Sequence, residues 1–577
     1  MKKLLLSVFT IALLLSSCEV ATIDVAFTED HQIDNPSDTV FSVLGILAHV
    51  QKVADQMVIL GEVRGDLVQL RPDITDEDIT VLSNFETNTP TKYNPYRELY
   101  AIINNCNYYL YKTPNDMYRE GENIFARERA AVSAMRCWSY LQLAMNYQKI
   151  PFYTTPLLSF SDIEKVANDP SNLKSLDELC DFFIPELESH LEVGYPLYGN
   201  FTYGQNYTVS SSKFFFPIPL LLADMHLWRA SIRGQQEEYV KAAQYYRDYL
   251  VEEQYSVLPQ YTNSYTDAEF VNTTLTWNQL YTGDRNWDTE RISIIPMATH
   301  SNYGQTSTLQ QVMGKLQGSE ALKELADNQF YCYVGITDEV DDDPDLVPSR
   351  YQLISDDSIY GTKTHPELLH YIHVAGEASY ARGDLRIYRP QEQTGEYTIS
   401  IDKFPARYPH ISTYRSNHAY LRLAEAICRA GYPETAFCVL KYGLSRGNML
   451  MYNQKELSQL ILSNHTFYDF GNNKNQIGIH ARGCGNIEMD TIFYQLPHDF
   501  STNDKIEYVE DLICDEMALD CSFEGTRYYD LMRFAHRRGS DYLASRIARR
   551  TTPLAPDVNL RQKLQDREKW YLKPINE

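Results

Sequence analysis

The chain has 577 residues, with 77 Asp plus Glu against 52 Lys plus Arg, a formal charge of −25 that comes near −27 if Lys2 and Lys3 leave with a leader. At 44% hydrophobic and 22% charged residues the composition is globular, which excludes a disordered chain, and an acidic balance of this size argues against a phosphate backbone as partner, so no nucleic acid is expected. The length allows about three to five domains or one large scaffold built from repeats, and the unusual number is tyrosine, 44 residues beside 5 Trp.

Lys2 and Lys3, an apolar run from Leu4 to Leu15 and Ser16-Ser17-Cys18 make residues 1–17 a secretory leader. The run is shorter than the roughly 17–25 residues a helix needs to cross a bilayer, and no later stretch reads as long enough, Phe214 to Ala223 being ended by Asp224. Leu15-Ser16-Ser17-Cys18 resembles a bacterial lipobox, which implies acylation of Cys18, a soluble body held to the membrane by lipid alone, and residues 18–30 as a tether. Residues 31–577 are expected to form a single domain. Removing Cys18 leaves nine of the ten cysteines, an odd number without a C-x-x-C pair, so neither a disulfide framework nor a structural zinc site is expected. Cys137, Cys428, Cys438, Cys514 and Cys521 fall in helical patterns among Ala and Leu, as small buried hydrophobes do.

Helical periodicity dominates before about residue 254 and after about residue 415. Arg97 to Tyr111 reads as a helix, and from Arg127 to Tyr147 the positions Ala131, Ala134, Trp138, Leu141 and Met145 place one apolar stripe on another. Pro217 to Arg233, Gly234, and Glu237 to Glu252 form a helix pair, and Asn417 to Ala430, Gly431-Tyr432-Pro433 and Glu434 to Leu444 have the same outline. Gly at the first helix's end and Pro at the second helix's start are stop and start signals. Lys505 to Arg537 supplies further helix. The fold class expected is mostly α: about four degenerate tetratricopeptide-like pairs stacked into one superhelix, with a plain bundle as the alternative. Between about residues 255 and 414 helical order gives way to Thr, Asn, Asp and Gly with short β-favouring runs, Arg291 to Pro296 and Tyr397 to Ile401. A structureless loop of that length is not credible, so short strands and ordered ligand-facing loops on the helical scaffold are expected.

Motifs for chemistry are weak. Gly443-Leu444-Ser445-Arg446-Gly447 matches G-x-S-x-G, but it follows a helix rather than a strand, so a helix terminus accounts for it better than a nucleophile. His365, His370 and His373 with Glu367 have no metal-site spacing, Asp341-Asp342-Asp343-Pro344-Asp345 lacks the glycine and closing Glu of a calcium loop, and Gly483-Cys484-Gly485 lacks the rest of a dinucleotide fingerprint. No metal and no cofactor are expected. The remaining signal is aromatic residues in loops: Tyr93 and Tyr96; Tyr195, Tyr198, Phe201, Tyr203 and Tyr207; Trp277, Tyr281 and Trp287; and Tyr303. Such rings offer a flat apolar face and a polar edge with two torsions to fix, matching the C–H face of a sugar, with Asn, Asp and Arg to pair its hydroxyls. The bland alternative is that they anchor the loops by packing.

Several segments read together as one pattern: Gly61-Glu62-Val63-Arg64-Gly65-Asp66; Tyr100, Ile103, Asn104 and Asn107; the helix Arg136 to Leu143 followed by Asn146-Tyr147 and Ile150-Pro151; Tyr420-Leu421-Arg422-Leu423-Ala424-Glu425-Ala426; Gly478-Ile479-His480-Ala481-Arg482-Gly483; and Glu524-Gly525, Arg527, Asp530-Leu531 and Arg533-Phe534. This resembles the SusD/RagB family, surface lipoproteins of Bacteroidetes-type bacteria, over both ends of the chain, and fades from about Tyr255 to Arg382. The resemblance implies a tetratricopeptide-like superhelix under an irregular region and a non-enzymatic protein at the outer-membrane surface. It further implies capture of oligosaccharide or polysaccharide for a SusC-like TonB-dependent transporter, over which the protein closes as a lid. The RagB branch offers a peptide or glycoprotein ligand instead, and a surface hydrolase is the third reading. Glu524, Arg527, Asp530 and Arg533, three residues apart, are expected to serve the scaffold through charges on one helical face. Asp66 and Asn94 fall near positions where relatives contact ligand, and with Tyr96, Trp277, Tyr281, Trp287 and Tyr303 they are the expected ligand-binding residues.

Overall fold

The computed structural model describes residues 36–574 apart from 204–206, 256, 258–263, 267–268, 272–289, 302–303, 338–349, 354–372, 385, 388–397, 400, 402, 405–409, 472–477 and 485–493. The leader, Cys18 and the tether lie outside the described residues. The first described element, α1 (Pro36–Val63), is long and apolar enough to cross a membrane, contrary to the expectation that nothing after the leader is. In this fold it is a core helix: Val43, Ile46, Val50, Val53, Ala54 and Leu60 are buried at helical spacing. They face α2 (Tyr96–Lys112), α3 (Ala126–Tyr147) and a C-terminal helix described below.

From α2 onward each helix packs on the next. α2 lies on α3, α3 on α4 (Leu176–Glu188), α4 on α5 (Ile218–Arg233), and α5 on α6 (Gln236–Glu252). α6 then packs on α7 (Ser416–Arg429), and α7 on α8 (Pro433–Lys441), so chain segments far apart in sequence continue one array. The protein is mostly α; the pairs α5/α6 and α7/α8 are the two helical hairpins the sequence outlines, and α2/α3 is a further packed pair. Their boundaries follow local chemistry. Gly234 ends α5 with φ 69°, Gly431 turns the chain after α7 with φ 101°, and Pro433 starts α8, where a missing N–H costs nothing. α8 stops short of the expected Leu444, at Lys441, because Gly443 turns left-handed (φ 76°) and Ser445 opens another helix.

The expected span Lys505 to Arg537 is two helices, α9 (Thr502–Asp520) and α10 (Arg527–Arg538). Phe523 and Gly525 between them take φ 69° and 88°, which breaks the helical ladder and lets α10 turn back onto α1 and α5. Two more helices, α11 (Ser540–Ala548) and α12 (Val558–Gln565), stack on α10 in order.

The middle region holds strands, as expected. β1 (Ser264–Thr266), β2 (Glu269–Val271), β4 (Phe330–Thr337), β5 (Arg350–Leu353) and β6 (His373–Arg382) form an antiparallel sheet in the order β6-β4-β5-β1-β2. β3 (Arg291–Ile295) pairs antiparallel with β7 (Ile411–Arg415), Arg291 opposite Arg415 and Ile295 opposite Ile411, and every residue of β3 is buried against the helices. Of the second expected strand, Ile399 is buried and accepts from Gly318 N at 2.8 Å without joining a described strand.

One close approach fixes how α1 meets the turn before α10. A methyl group on Gly61 would stand 1.8 Å from the carbonyl oxygen of Gly525, and one on Gly525 would stand 2.7 Å from Cα of Val58. Both neighbours are backbone and cannot step aside. Gly61→Ala is expected to cost at least about 2 kcal/mol in urea unfolding. Gly45→Ala, on the same helix with nothing within 4 Å of the new carbon, should gain about 0.5–1 kcal/mol.

Candidate functional site

Two of the family-like segments, at Gly478–Gly483 and at Glu524, enter a buried ionic centre. Asp520, at the end of α9, accepts from Arg415 (Nη2–Oδ1 2.8 Å), lies 3.1 Å from Arg482 Nε and 3.5 Å from Arg386 Nη1, and is fully buried. Burial alone would raise its pKa, but the three guanidinium groups outweigh it and hold the carboxyl well below the usual range. Arg482 also pairs with Glu290 (2.6 Å), Arg386 with Asp384 (2.7 Å) and Glu516 (2.7 Å), and His480 Nδ1 lies 2.6 Å from Glu516. Glu524 accepts from Arg415 (3.0 Å) and Lys403 (2.7 Å); burial pushes it up, and these cations pull it to about 2. Glycines let the chain into this centre, since a methyl on Gly483 would meet Asp384 at 2.2 Å and one on Gly478 the backbone of Lys441 at 2.1 Å.

Glu524, Arg527, Asp530 and Arg533 make structural ion pairs, in line with the scaffold role expected of them, but Glu524 lies before α10 and not on its face. Only Asp530 and Arg533 pair with each other (2.7 Å). Arg527 reaches Asp66 and Arg533 reaches Glu425 on α7 (2.6 Å), so the row ties α10 to other elements. The remaining motif residues are also structural. Arg64 donates from Nε to Leu60 O (3.0 Å) and from Nη2 to Asn146, with its guanidinium 4.2 Å over Tyr528. Asn104 and Asn107 hold the backbone at Leu157 and Tyr153, and Arg136 donates to Asn107 (2.8 Å) and Glu186 (2.5 Å).

Of the expected ligand-binding residues, Asp66 is corrected: it is 5% exposed, and Arg527 holds both its oxygens, Nε to Oδ1 at 2.6 Å and Nη2 to Oδ2 at 2.8 Å. Burial would raise its pKa, yet Arg527 lowers it overall. Asn94 is half-buried and its amide is engaged, Nδ2 donating to Lys573 O (3.1 Å) and Oδ1 accepting from Tyr96 N (3.2 Å) and Tyr147 OH. Asn94 therefore shapes the start of α2. Tyr96, the first residue of α2, is half-buried. Its ring stands edge-on to Tyr100 one turn later (centroids 5.0 Å apart) and to Tyr147 from α3 (4.9 Å). Behind them Tyr153 stacks on Tyr100 at 6.0 Å, and Tyr100 OH donates to Pro151 O (2.8 Å), so Tyr96 is the outer member of a fixed aromatic cluster. Trp277, Tyr281, Trp287 and Tyr303 lie outside the described residues.

Packing claims part of the tyrosine surplus. Tyr93 is buried, and Tyr195, Tyr198 and Phe201 pack on the apolar core, Phe201 against Phe214 with centroids 5.2 Å apart. Exposed rings that escaped the sequence reading include Tyr111 (69%) near the end of α2, and Tyr118 (66%) in a tight hairpin turned by Glu120 and Gly121 at φ 54° and 87°. Pro114 and Gly121 around Tyr118 were the available signal. Ser445 of the G-x-S-x-G stretch caps the helix Arg446–Tyr452 by accepting from Asn448 N (3.1 Å), a helix start rather than a nucleophile turn. His365, Glu367, His370 and the acidic run Asp341 to Asp345 lie outside the described residues, among which no His, Cys, Asp and Glu cluster suited to a metal occurs. Cys137, Cys428, Cys438, Cys514 and Cys521 are free and buried.

No family model matches the sequence, and no curated protein does. Among solved structures the chain is similar to NanU of B. fragilis (15% identity, 91% of this chain and 92% of that one, TM-score 0.48). It is similar also to a SusD superfamily protein of Bacteroides fragilis (13%, 86% and 87%, 0.49) and to a SusD-like carbohydrate binding protein of Bacteroides vulgatus (15%, 87% and 83%, 0.47).

Two predictions follow from the buried groups. Glu62 is fully buried and accepts from Phe523 N (3.2 Å) and Gly525 N (2.8 Å); Lys403 and Glu524 are its nearest charges, and burial raises it to about 7. A raised carboxyl binds its proton more tightly in the folded state, so its contribution is full below the unfolded pKa near 4.5 and is lost as pH rises through 7. Urea unfolding at pH 5 and pH 8 should show about 3 kcal/mol of pH-dependent loss that Glu62→Gln removes. Asp66→Ala leaves Arg527 buried and uncompensated, so it should cost about 3–5 kcal/mol in the same assay.

Proposed function

We propose that this chain is a lipid-anchored cell-surface protein of the SusD/RagB type that captures oligosaccharide or polysaccharide and passes it to a SusC-like TonB-dependent transporter of the outer membrane, closing over it as a lid. The observation that carries the reading is the set of family-like motifs on a helical-pair array, whose charged residues pair in the interior: His480, Arg482 and Glu524 in the ionic centre, Asp66 with Arg527, and Glu425 with Arg533. The lipobox at Cys18 supports attachment, with the membrane reached through the lipid alone. Binding is assigned to the region around residues 255–414 and to the aromatic cluster at Tyr96, whose rings would lie against the C–H face of a sugar. The reading includes no bond cleavage: Ser445 is a helix cap, and the carboxylates at the ionic centre are held by arginines.

Calorimetry against a panel of soluble glycans should give saturable binding to at least one, without change in its chain length. Tyr96→Ala, Trp277→Ala and Trp287→Ala should each weaken it about threefold to tenfold, the share of one stacked ring. Silence across the glycan panel with binding in a peptide library would replace sugar by peptide. Release of reducing ends would overturn the non-enzymatic reading.

A further inference from the structure

Three helices meet at one end of the array. Met57 and Val58 of α1 line one cavity with Trp138, Leu141 and Met145 of α3, and Arg64, just past α1, donates to Asn146 near the end of α3, so these two helices run in the same direction. α2 runs against them: Arg136 of α3 donates to Asn107, and Arg129, in the first turn of α3, donates to the carbonyls of Leu110 (2.9 Å) and Thr113 (2.6 Å) at the end of α2. The start of α1, the end of α2 and the start of α3 therefore share one end of the body.

Aromatic rings stand out from that end. Phe41, in the second turn of α1, is 74% exposed, and it joins the exposed rings of Tyr111 on α2 and Tyr118 in the hairpin between α2 and α3. Single exposed apolar side chains are ordinary, but three exposed rings at one end of a body are a surface. The accessible charges beside them balance, Lys112, Arg119 and Arg127 against Asp116, Glu120 and Glu122, in a chain whose formal charge is −25. A balanced end has no net charge to be driven off by phosphate headgroups, as the rest of so acidic a chain would be.

The chain toward Cys18 leaves from the same end. Pro36 opens α1, and residues 19–35 span at most about 60 Å even when fully extended. The first turns of α1 are thus the part of the body that an acyl group on Cys18 holds nearest to a bilayer, at the high effective concentration that a short connection gives.

We propose that Phe41, Tyr111 and Tyr118 form a lipid-facing surface that seats this end of the body in the headgroup region of the membrane. Tyr suits that depth because its ring is apolar and its hydroxyl is wet, and Phe41 supplies the apolar contact below it. The proposal rests on the acylation of Cys18 in the function proposed above and goes beyond it. Attachment is left to the acyl chains; the rings, too few to hold an unattached body, fix which end of it faces the bilayer.

The test uses the full-length chain made with its leader, the mass of its N-terminal peptide reporting acylation, in phosphatidylcholine vesicles with bromine-labelled acyl chains that quench indole fluorescence on contact. Phe41→Trp and Tyr118→Trp report on this end. Leu554→Trp reports on the other end of α1, since Leu554 is 96% exposed and Arg550, four residues earlier, donates to Val63 O (3.1 Å). The fluorescence added at positions 41 and 118 should be quenched and shifted to shorter wavelength on vesicles, with little change at raised salt, while that added at 554 is not. Quenching at neither 41 nor 118 in acylated, vesicle-bound protein overturns the proposal, leaves the rings to a protein partner and leaves glycan capture standing; equal quenching at all three positions also overturns it. A Cys18 that carries no acyl group overturns the attachment and this proposal with it. Should a variant not fold, hydrogen exchange of the unsubstituted acylated protein decides: slower exchange over residues 117–123 on vesicles supports the surface, and unchanged exchange refutes it.

Discussion

Asp520 sits where three arginines from separate parts of the chain converge, Arg386, Arg415 and Arg482, and the rest of the scaffold is arranged to make that convergence possible. The arginines enter from the end of the strand region, the start of α7 and the segment before residue 485, and α9 delivers the carboxylate. An ion cluster in a dry interior adds little net stability, because taking each charge from water costs about as much as the pairing returns. What it contributes is intolerance of error: a displaced member leaves another charged and unpaired. Glu62 at the end of α1 extends the same logic through backbone, capping the N–H groups of Phe523 and Gly525 in the turn that carries Glu524.

That turn joins the two halves of the helical array. α1 approaches it so closely at Gly61 that only hydrogen fits, and α10 leaves it to lie against α1 and α5. Long-range pairs such as Asp66 with Arg527 and Glu425 with Arg533 then lock the N-terminal helices and α7 to the C-terminal ones. The helices are thereby tied together across the length of the chain, and β3 and β7 of the region between α6 and α7 pair with each other against them.

Helix existence and most boundaries were legible because they rest on local rules. The pair α5/α6 lies within a residue of its expected limits, with Gly234 as the stop. The errors are local rules overruled by contacts. Lys505 to Arg537 keeps helical spacing throughout, yet Gly525 is needed to approach Val58, and the helix breaks there. α1 passes a length and hydropathy test for a membrane span because a core helix and a spanning helix bury the same kind of surface. Side-chain environment was the least legible feature: Asp66, Tyr195 and Tyr198 have the composition of contacts and the environment of packing.

The sequence by itself determined an acidic, mostly helical chain with paired helices, a strand-bearing middle region, a lipobox-like leader and a set of family-like motifs, because periodicity, glycine and proline signals and composition act over a few residues. Only the tertiary structure decided that Arg482 and Glu524 meet the arginines and carboxylates around Asp520, that Asp66 belongs to Arg527, and that Glu425 belongs to Arg533. Pairing of charges and enclosure of space depend on residues tens to hundreds of positions apart, and no short-range pattern encodes which distant group will arrive.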